Sequence, residues 1–428
     1  MLTTALMLLV ALLALSVPVA AVMGVLGLAL NQFYASMPLH RAMGEIIWSA
    51  SSEYILIAIP LFVMLGEILL RSGIAERVYN GIAQWLSWLP GGLMHANIGS
   101  CAMFAATSGS SVATAATIGT LAIPEIKKHG YNESLFLGTI AAGGTLGILI
   151  PPSINFILYG LLTNTSVPRL YLAGFIPGFL LALLFMVIVL IACLLDRAKG
   201  GTPIETSWGR RIRALPALLP PLGIFLVVVG SIYVGIATPT EAASLGVIAA
   251  LILAAAEGRV SWSMLRGVAE GTMRTTAMIM LIIMAAQFLN FVLASIGLTD
   301  GLGKIIEDLG LGKIGTMILI VIFYLILGCF METISMMILT TPFIAPIVFK
   351  LGWDPVWWGI VLTVLIEAAL ITPPVGLNLY VVQGMRGRGS VNEVIRGALP
   401  FVAAMIVLIA LLMAVPDLAM WLPRFVMG

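Results

Sequence analysis

Apolar residues fill this chain in long stretches, and short polar segments separate them. Several stretches are long enough to cross a bilayer as helices, among them Tyr54–Ser72, Leu172–Cys193, Thr276–Ala294 and Val394–Val415. The sequence shows no strand-like alternation of apolar and polar residues. Because a helix satisfies its backbone hydrogen bonds within one span, this pattern predicts an all-α, polytopic membrane protein.

Composition strengthens this prediction and excludes other classes of protein. Of the 428 residues, 61% are hydrophobic and 9% are charged, with a mean hydropathy of +1.13, which is too apolar for a soluble domain of this size. The net charge of +2 gives no basic surface for nucleic acid. Cys101, Cys193 and Cys329 lie far apart, which excludes a CxxC site and gives no disulfide framework.

The apolar segment Met1–Leu30 lacks a basic leader and a clean cleavage site, so we expect a retained first helix, or two short helices meeting at Pro18.

The two halves of the sequence repeat each other in one constant register. Matching positions hold Pro124 and Pro346, Lys128 and Lys350, Gly130 and Gly352, and the pairs Pro151–Pro152 and Pro373–Pro374. Each half is therefore predicted to contain a span, an amphipathic interfacial helix, a second span, a hairpin, a helix broken at Pro-Pro and a final span. The predicted hairpins are Leu93–Lys128 and Ile314–Lys350, and the interfacial helices contain Arg41–Ser49 and Arg266–Arg274.

Basic residues give the orientation of these spans. If the loop Asp196–Arg213 is cytoplasmic, the spans place fifteen of the 21 Lys and Arg residues on the cytoplasmic side. This asymmetry obeys the positive-inside rule. The first hairpin then opens to the cytoplasm and the second to the opposite face, so the repeats have inverted topology. Inverted repeats with broken helices are typical of secondary transporters.

Consecutive prolines interrupt one apolar helix in each half. A proline inside a helix removes a hydrogen-bond donor at a cost of roughly 3 kcal/mol, and in lipid the freed carbonyls have no water to turn to. The breaks therefore predict a cation on unwound carbonyls, or an anion at the N-terminus of the resumed helix. The alternative is a proline kink satisfied by neighbouring Ser and Thr. Small or polar residues surround both breaks: Gly143, Gly144, Thr145, Gly147, Ser153, Asn155, Thr372, Val375, Gly376 and Asn378.

Polar groups also mark the turns of the two predicted hairpins. Three serines surround Gly109 in the segment Ser108–Ser111, and the register of the repeat matches Glu332 to Ser110. A carboxylate at bilayer depth is functional by default, whereas the serine-rich turn alone also fits small-residue helix packing. Glu67 and Glu367 are further carboxylates in apolar segments, and the sequence leaves open whether each belongs to a site or supports the fold.

These motifs resemble the large membrane subunit of the TRAP transporters, the DctM-like and SiaM-like family. The resemblance covers nearly the whole chain and is most specific in "ITPPVGLNL" within Glu367–Gly384, with "LGILIPPSI" and Ile59–Arg77 in support. It implies a sodium-coupled importer of carboxylates in the bacterial inner membrane, working as an elevator. It also implies a small four-helix DctQ-like membrane subunit and a periplasmic DctP-like binding protein as partners. It implies sodium ions as the only cofactors, and it implies no enzyme activity.

The resemblance also implies where ions and substrate bind. The sodium ligands would be Ser108, Gly109, Ser110, Pro151 and Asn155 around one tip, and Gly328, Glu332, Thr372, Gly376 and Asn378 around the other. The substrate would lie between the tips, near Ser110, Ser111, Thr114, Asn155, Glu332, Thr333 and Val375. Many relatives have Asp where this chain has Glu332, so substrate identity is not transferred from the family.

Residues 92–164 and 314–385 are predicted to form a moving transport domain. The scaffold in this prediction consists of residues 1–91, 165–313 and 386–428.

Three other functions compete with a TRAP permease. A related inverted-repeat symporter would carry dicarboxylates without a binding protein. A membrane-embedded enzyme lacks support, because His40, His95 and His129 are far apart and no HExxH or GxSxG motif occurs. A passive channel needs a continuous polar path, whereas the polar residues here cluster at two midpoints.

Overall fold

The computed structural model describes residues 1–202, 206–298, 301, 303–304, 308–328 and 331–428, with the backbone alone at 2 and 105–108. These residues are predominantly helical. Their only β-type pairing is an isolated antiparallel bridge between Tyr131 and Gly200. The all-α class predicted from the sequence is confirmed.

The first half of the chain carries ten of the described α-helices. They are α1 Leu2–Ala14, α2 Val19–Tyr34, α3 Met43–Ser51, α4 Ala58–Arg71, α5 Ile74–Leu86, α6 Leu93–Ser108, α7 Ser111–His129, α8 Glu133–Leu149, α9 Ile154–Thr163 and α10 Val167–Leu195. Pro18 separates α1 from α2. The N-terminal segment is thus the two short helices that the sequence left as an alternative.

The second half continues this series after the loop that follows α10. Its described helices are α11 Trp208–Ala214, α12 Leu219–Phe225, α13 Ser231–Tyr233, α14 Pro239–Ala256, α15 Trp262–Ser295, α16 Gly312–Leu327, α17 Thr333–Lys350, α18 Pro355–Leu370, α19 Leu377–Arg386, α20 Val391–Ala414 and α21 Asp417–Met427. A π-helical turn at Leu226–Gly230 joins α12 to α13. Short 3₁₀ turns lie at Leu39–Ala42, Tyr54–Ile57, Arg197–Lys199 and Leu215–Ala217.

Six helical segments of the described chain are long and apolar enough to cross a membrane, and the number rises to eight if each bent pair counts as one span. One bent pair is α8 and α9, which meet at 46° on either side of Pro151–Pro152. In the second half α18 and α19 are separated by the residues around Pro373–Pro374. Both Pro-Pro bonds are cis. The predicted breaks are therefore present.

Helix boundaries confirm the internal repeat. Helix α7 begins at Ser111 and α17 at Thr333, and α8 begins at Glu133 and α18 at Pro355. Both pairs of helix starts keep the register of the repeated prolines. The hairpins are α6 with α7 and α16 with α17, as predicted.

The second interfacial helix differs from its prediction. The sequence separated Arg266–Arg274 from the span that follows, but α15 runs through both as one helix of 34 residues. In the first half α3 and α4 remain separate, because Ser52, Glu53 and a 3₁₀ turn lie between them. No comparable interruption occurs in α15, where a continuous run of helix-compatible residues leads from the interface into the membrane.

Helices α8 and α18 lie at the centre of the bundle, with nearly every residue buried. Glycines allow close helix packing around them. A Cβ on Gly138 would lie 2.1 Å from the Gly397 carbonyl oxygen, which brings α8 and α20 into backbone contact. A Cβ on Gly174 of α10 would lie 2.8 Å from the Leu149 carbonyl oxygen at the end of α8. The first break is thereby held in the interior of the protein.

Candidate functional site

A cavity of about 310 Å³ lies where the two hairpin tips meet the first break and the spans α4 and α15. Its polar lining residues are Glu67, Ser110, Ser111, Asn155, Thr275, Glu332 and Thr333. Apolar side chains such as Phe104, Met278 and Ile148 complete the wall. The structure thus brings five of the seven predicted substrate residues into one chamber.

The first tip closes onto the first break. Gly109 adopts a left-handed φ of +59°, which lets the chain turn between α6 and α7. A Cβ on Gly109 would lie 3.7 Å from the Pro152 carbonyl oxygen, and one on Gly147 would lie 3.0 Å from the Ser110 carbonyl oxygen. The first predicted sodium cluster, with Pro151 in its break, is therefore spatially contiguous. The Ser108 side chain lies outside the described residues.

Ser110 and Asn155 leave polar atoms available at this tip. Ser110 is the N-cap of α7 and accepts a long hydrogen bond of 3.4 Å from the Ala113 backbone amide. Asn155 is 1% exposed, and its Nδ2 finds no hydrogen-bond partner among the described residues. A buried amide donor without a partner is costly unless a ligand completes it. The first tip and break therefore offer donors to whatever fills the cavity.

The second tip is built differently, because Glu332 satisfies its own helix. Glu332 is the N-cap of α17, and its carboxylate accepts hydrogen bonds from the backbone amides of Ile334 at 3.0 Å and Ser335 at 2.7 Å. The Ser335 hydroxyl donates a third at 2.6 Å. Glu332 and Thr333 both line the cavity, and the Glu332 carboxylate stabilises the start of α17 there.

The second break lies to one side of the cavity. Gly376 adopts a φ of +46°, and a Cβ there would lie 3.0 Å from the Thr372 carbonyl oxygen and 3.1 Å from that of Leu370. These converging carbonyls are what the break predicts. Val375 is 43% exposed and is absent from the described lining of the cavity, where Leu370 and Leu377 represent this break.

The second predicted sodium cluster is divided between two places. A Cβ on Gly328 would meet Ala369 of α18, so the end of α16 packs next to the second break. Asn378 instead contacts α8 of the first half, where its Nδ2 donates to the Ala141 carbonyl oxygen at 3.2 Å. Sequence matching paired Asn378 with the second tip, whereas the structure places it against the first half. Thr114 is fully buried, and its Oγ1 would lie 3.1 Å from a Cβ on Gly147.

The sequence missed or left undecided the residues that α4 and α15 contribute to the cavity. Glu67 lines the chamber and pairs with Arg71 at 2.7 Å along α4. Its carboxylate lies over Gly271 of α15, and Arg71 donates to the Gly267 carbonyl oxygen at 3.1 Å. Gly267 and Gly271 lie one turn apart on α15 and leave space for Glu67 and Arg71, which lie one turn apart on α4. Glycines at this spacing are the sequence signal that identifies such a helix contact.

Comparisons with known proteins now identify the family. The model of the tripartite ATP-independent periplasmic transporter DctM component matches residues 6–418. The chain belongs to this family. The large permease DctM of a C4-dicarboxylate TRAP transporter of Vibrio cholerae is 31% identical over 96% of this chain and 95% of its own length. That of Pseudomonas aeruginosa is 34% identical over 90% of each chain, and the ectoine permease TeaC of Halomonas elongata is 31% identical over 86% of each.

A solved structure supports the fold. The crystal structure of the Alcanivorax borkumensis YdaH transporter, described as having an unusual topology, superimposes with a TM-score of 0.62. The match covers 98% of both chains at 17% identity. It supports the predicted inverted-repeat membrane architecture and carries no information about the substrate.

The protein is accordingly the large permease subunit of a TRAP transporter in the bacterial inner membrane, and not an enzyme. TRAP large permeases in general work with a small permease and a periplasmic binding protein. The names of similar permeases specify different substrates, including C4-dicarboxylates, ectoine, isethionate and sialic acid. Family membership therefore fixes the class of transporter without fixing the substrate.

Proposed function

We propose that this TRAP permease couples sodium entry to import of a carboxylate-containing organic acid. A periplasmic DctP-like protein delivers the acid, and a small four-helix DctQ-like subunit completes the membrane complex. One observation carries the proposal: both hairpin tips and the first break converge on a single 310 Å³ cavity against the scaffold helices α4 and α15. Such convergence of broken helices is how secondary transporters build a binding centre.

The charge of the cavity supports cation coupling. An organic carboxylate loses its hydration on entry and needs compensating charge. The described lining residues include no Lys, Arg or His. Helices α7 and α17 begin at Ser111 and Thr333 on the cavity wall, so their positive N-terminal ends supply part of the compensation. Sodium ions bound with the acid supply the rest, and two of them neutralise a dicarboxylate.

The first tip and first break suit this division of roles. The carbonyl oxygens of Ser110 and Pro152 lie close to the turn at Gly109 and suit a hard cation. The unpartnered Asn155 Nδ2 is a donor and suits a substrate carboxylate. Ion and acid then bind on adjacent sides of one tip, which links the occupancy of one to that of the other.

Transport in this proposal is an elevator movement of the two hairpins and broken helices against α4 and α15. We propose a different boundary from the one predicted at residue 386, on the basis of the contacts of α20. The Trp357 indole donates to the Leu412 carbonyl oxygen at 2.9 Å, and the Ser134 hydroxyl donates to that of Glu393 at 2.6 Å. Arg386 of α19 pairs with both Glu133 of α8 and Glu393 of α20. We therefore place α20 with the moving unit, because sliding against α8 and α18 would break these hydrogen bonds.

Reconstitution tests the proposal. Proteoliposomes containing this chain, the small subunit and the binding protein are assayed with radiolabelled succinate, ectoine and sialic acid, first in Na⁺ and then with K⁺ in its place. We expect uptake of at least one acid, falling at least about tenfold in K⁺. Equal uptake in the two salts contradicts sodium coupling.

The second candidate is a symporter that works without a binding protein, because such a symporter is built from the same inverted repeats with broken helices. Omitting the binding protein from the same liposomes distinguishes the two. Loss of uptake supports the tripartite assembly, and unchanged uptake supports the stand-alone symporter.

A further inference from the structure

A short basic helix, α11, lies at the end of a span and far from the substrate cavity in the sequence. Together with the following turn it forms a bent pair with Leu219–Tyr233 that is long and apolar enough to cross a membrane. The loop that precedes it belongs to the side that the positive-inside rule assigns to the cytoplasm. We therefore expect α11 to lie where this side of the bilayer meets water.

One side of α11 exposes apolar residues at helical spacing. Trp208, Ile212, Leu215 and Leu219 follow one another at intervals of three or four residues and are each between 43% and 68% exposed. These four residues are called the apolar stripe below. Because the stripe continues into a span, it is suited to contact with lipid acyl chains.

A second side of α11 packs against α5, where three side chains meet. A Cβ on Gly81 of α5 would lie 3.4 Å from the Ala214 carbonyl oxygen of α11. The rings of Trp85 and Trp208 are 6.4 Å apart between centroids and nearly perpendicular, at 84°. The guanidinium carbon of Arg211 lies 5.0 Å from the centroid of the Trp208 ring. Trp208 therefore contacts both Trp85 and Arg211.

These two neighbours of Trp208 each have an N–H group without a partner. Trp85 Nε1 and Arg211 Nε are buried atoms that make no hydrogen bond in the described part of the chain. Arg211 Nη2 donates to the Thr206 hydroxyl at 3.1 Å, but no ion pair among the described residues includes Arg211. Buried donors are normally paired, and an arginine that loses water needs a negative charge close by. The missing partner is therefore an anionic acceptor.

Access to these donors runs past Trp208. Its ring contacts both groups and is 68% exposed, so it has space to turn aside when a ligand arrives. Arg210 and Arg213 add two exposed cations, and they too lack an ion pair within the described ranges. By helical spacing they lie on the side of α11 opposite the apolar stripe. A helix with this division lies in the headgroup region of a membrane.

We propose that Arg211 and Trp85 bind the phosphate of an anionic phospholipid whose acyl chains lie along the apolar stripe. The planar guanidinium suits a phosphate, and Arg210 and Arg213 attract the negatively charged membrane surface. A soluble phosphate offers the same oxygens but has no acyl chain for the stripe, which favours the lipid. The site is independent of sodium and of the transported acid.

Helix α5 gives this lipid a mechanical role. It follows α4 of the scaffold and precedes the first hairpin, against which it packs: a Cβ on Gly99 of α6 would lie 2.9 Å from the Leu86 side chain and 3.1 Å from that of Ile82. A lipid bound between α5 and α11 then holds this connection at the membrane surface.

Lipid affinity of the purified chain in detergent, measured by native mass spectrometry, tests the site. Phosphatidylglycerol should bind at least about fivefold more tightly than phosphatidylcholine. Arg211→Ala should weaken phosphatidylglycerol binding at least about fivefold, and Trp85→Phe, which keeps a ring and removes the N–H, about two- to fivefold. The matched control is Arg197→Ala, which removes an exposed arginine of the same loop outside α11 and should change the affinity less than about twofold.

Three results would overturn the proposal. Equal affinity for the two lipids removes the preference for an anionic headgroup. Equal losses in Arg211→Ala and Arg197→Ala indicate general attraction to a basic loop. If inorganic phosphate at constant ionic strength raises the melting temperature as much as phosphatidylglycerol does, the site takes a soluble anion. If Arg211→Ala does not fold, Arg211→Lys replaces it: the charge stays while Nε–H and the planar group are lost, so a weaker affinity is again expected and an unchanged one contradicts the site.

Discussion

The two hairpin tips occupy matching positions in the repeat but cap the start of their second helices with different chemical groups. Ser110 caps α7 through one hydrogen bond of 3.4 Å, whereas Glu332 caps α17 through three hydrogen bonds of 3.0 Å or less. The first tip therefore keeps its helix N-terminus available to a ligand, and the second uses much of its own. The repeat gives both tips the same frame, and under the proposed function the difference at one register position places ligand binding mainly in the first half.

The two breaks differ in the same direction. Asn155 lines the cavity beyond the first break with an unpartnered amide, and the residue at the same register after the second break is Leu377. At the breaks, a polar donor thus faces the chamber from the first side and an apolar side chain from the second, while Glu332 and Thr333 contribute polar groups from the second tip. We infer that the acid is oriented with its carboxylate towards the first break.

The largest effect is expected for Asn155→Leu, which gives the first break the residue of the second. The buried donor to the carboxylate is lost, and a hydrogen bond to a charged group contributes about 1.5–3 kcal/mol. Uptake efficiency in proteoliposomes should fall on the order of 10- to 100-fold. Leu377→Asn is the matched control and should change uptake about threefold or less. Equal losses in the two variants would show that the breaks contribute alike.

The next effect is on stability and concerns the second tip. Glu332→Ala removes three hydrogen bonds from the start of α17 and should destabilise the protein by about 2 kcal/mol. The measurement is the melting temperature of the purified chain in detergent. Glu332→Gln, which keeps an acceptor, should lose less. A melting temperature for Glu332→Ala equal to that of the wild type would mean that this cap does not hold the tip.

The first tip should tolerate the corresponding change better. Ser110→Ala removes one long hydrogen bond, for which about 0.5–1 kcal/mol is expected. Its melting temperature should therefore fall by less than that of Glu332→Ala. The reverse order would contradict the contrast between the tips, and so would a larger loss of uptake in Glu332→Gln than in Ser110→Ala.

The smallest effect is expected on the scaffold side. Glu67 has Leu289 as its equivalent in the second half, and its pair with Arg71 is partly exposed. Glu67→Gln should therefore change stability by about 0.2–1 kcal/mol. Its melting curve and its uptake should both remain close to wild type. A loss of uptake as large as that of Asn155→Leu would make Glu67 a substrate ligand.

Sequence alone predicted the membrane class, the repeat, both hairpins and both breaks. Hydropathy, glycine and proline indicate where helices run and where they stop, and these features depend on residues close in the chain. The register of the repeat was therefore enough to place Ser111 and Thr333 at equivalent helix starts. The same reasoning was wrong about the second interfacial helix and did not predict the partner of Asn378, because tertiary contacts decide both. Nothing local separates the interfacial part of α15 from its span, and nothing local says that Asn378 reaches Ala141 of the other half.

The sequence by itself thus determined where the chain enters the membrane, where its helices stop and which polar residues lie at those stops. Only the tertiary structure decided which stops share a cavity, that Glu332 caps its own helix, and that Ser111 and Glu367 meet from opposite halves of the chain. The physical reason is the separation along the chain over which each interaction acts. Helix formation and insertion depend on residues a few positions apart, whereas a buried carboxylate takes its partner from whichever helix the packing of small residues brings near.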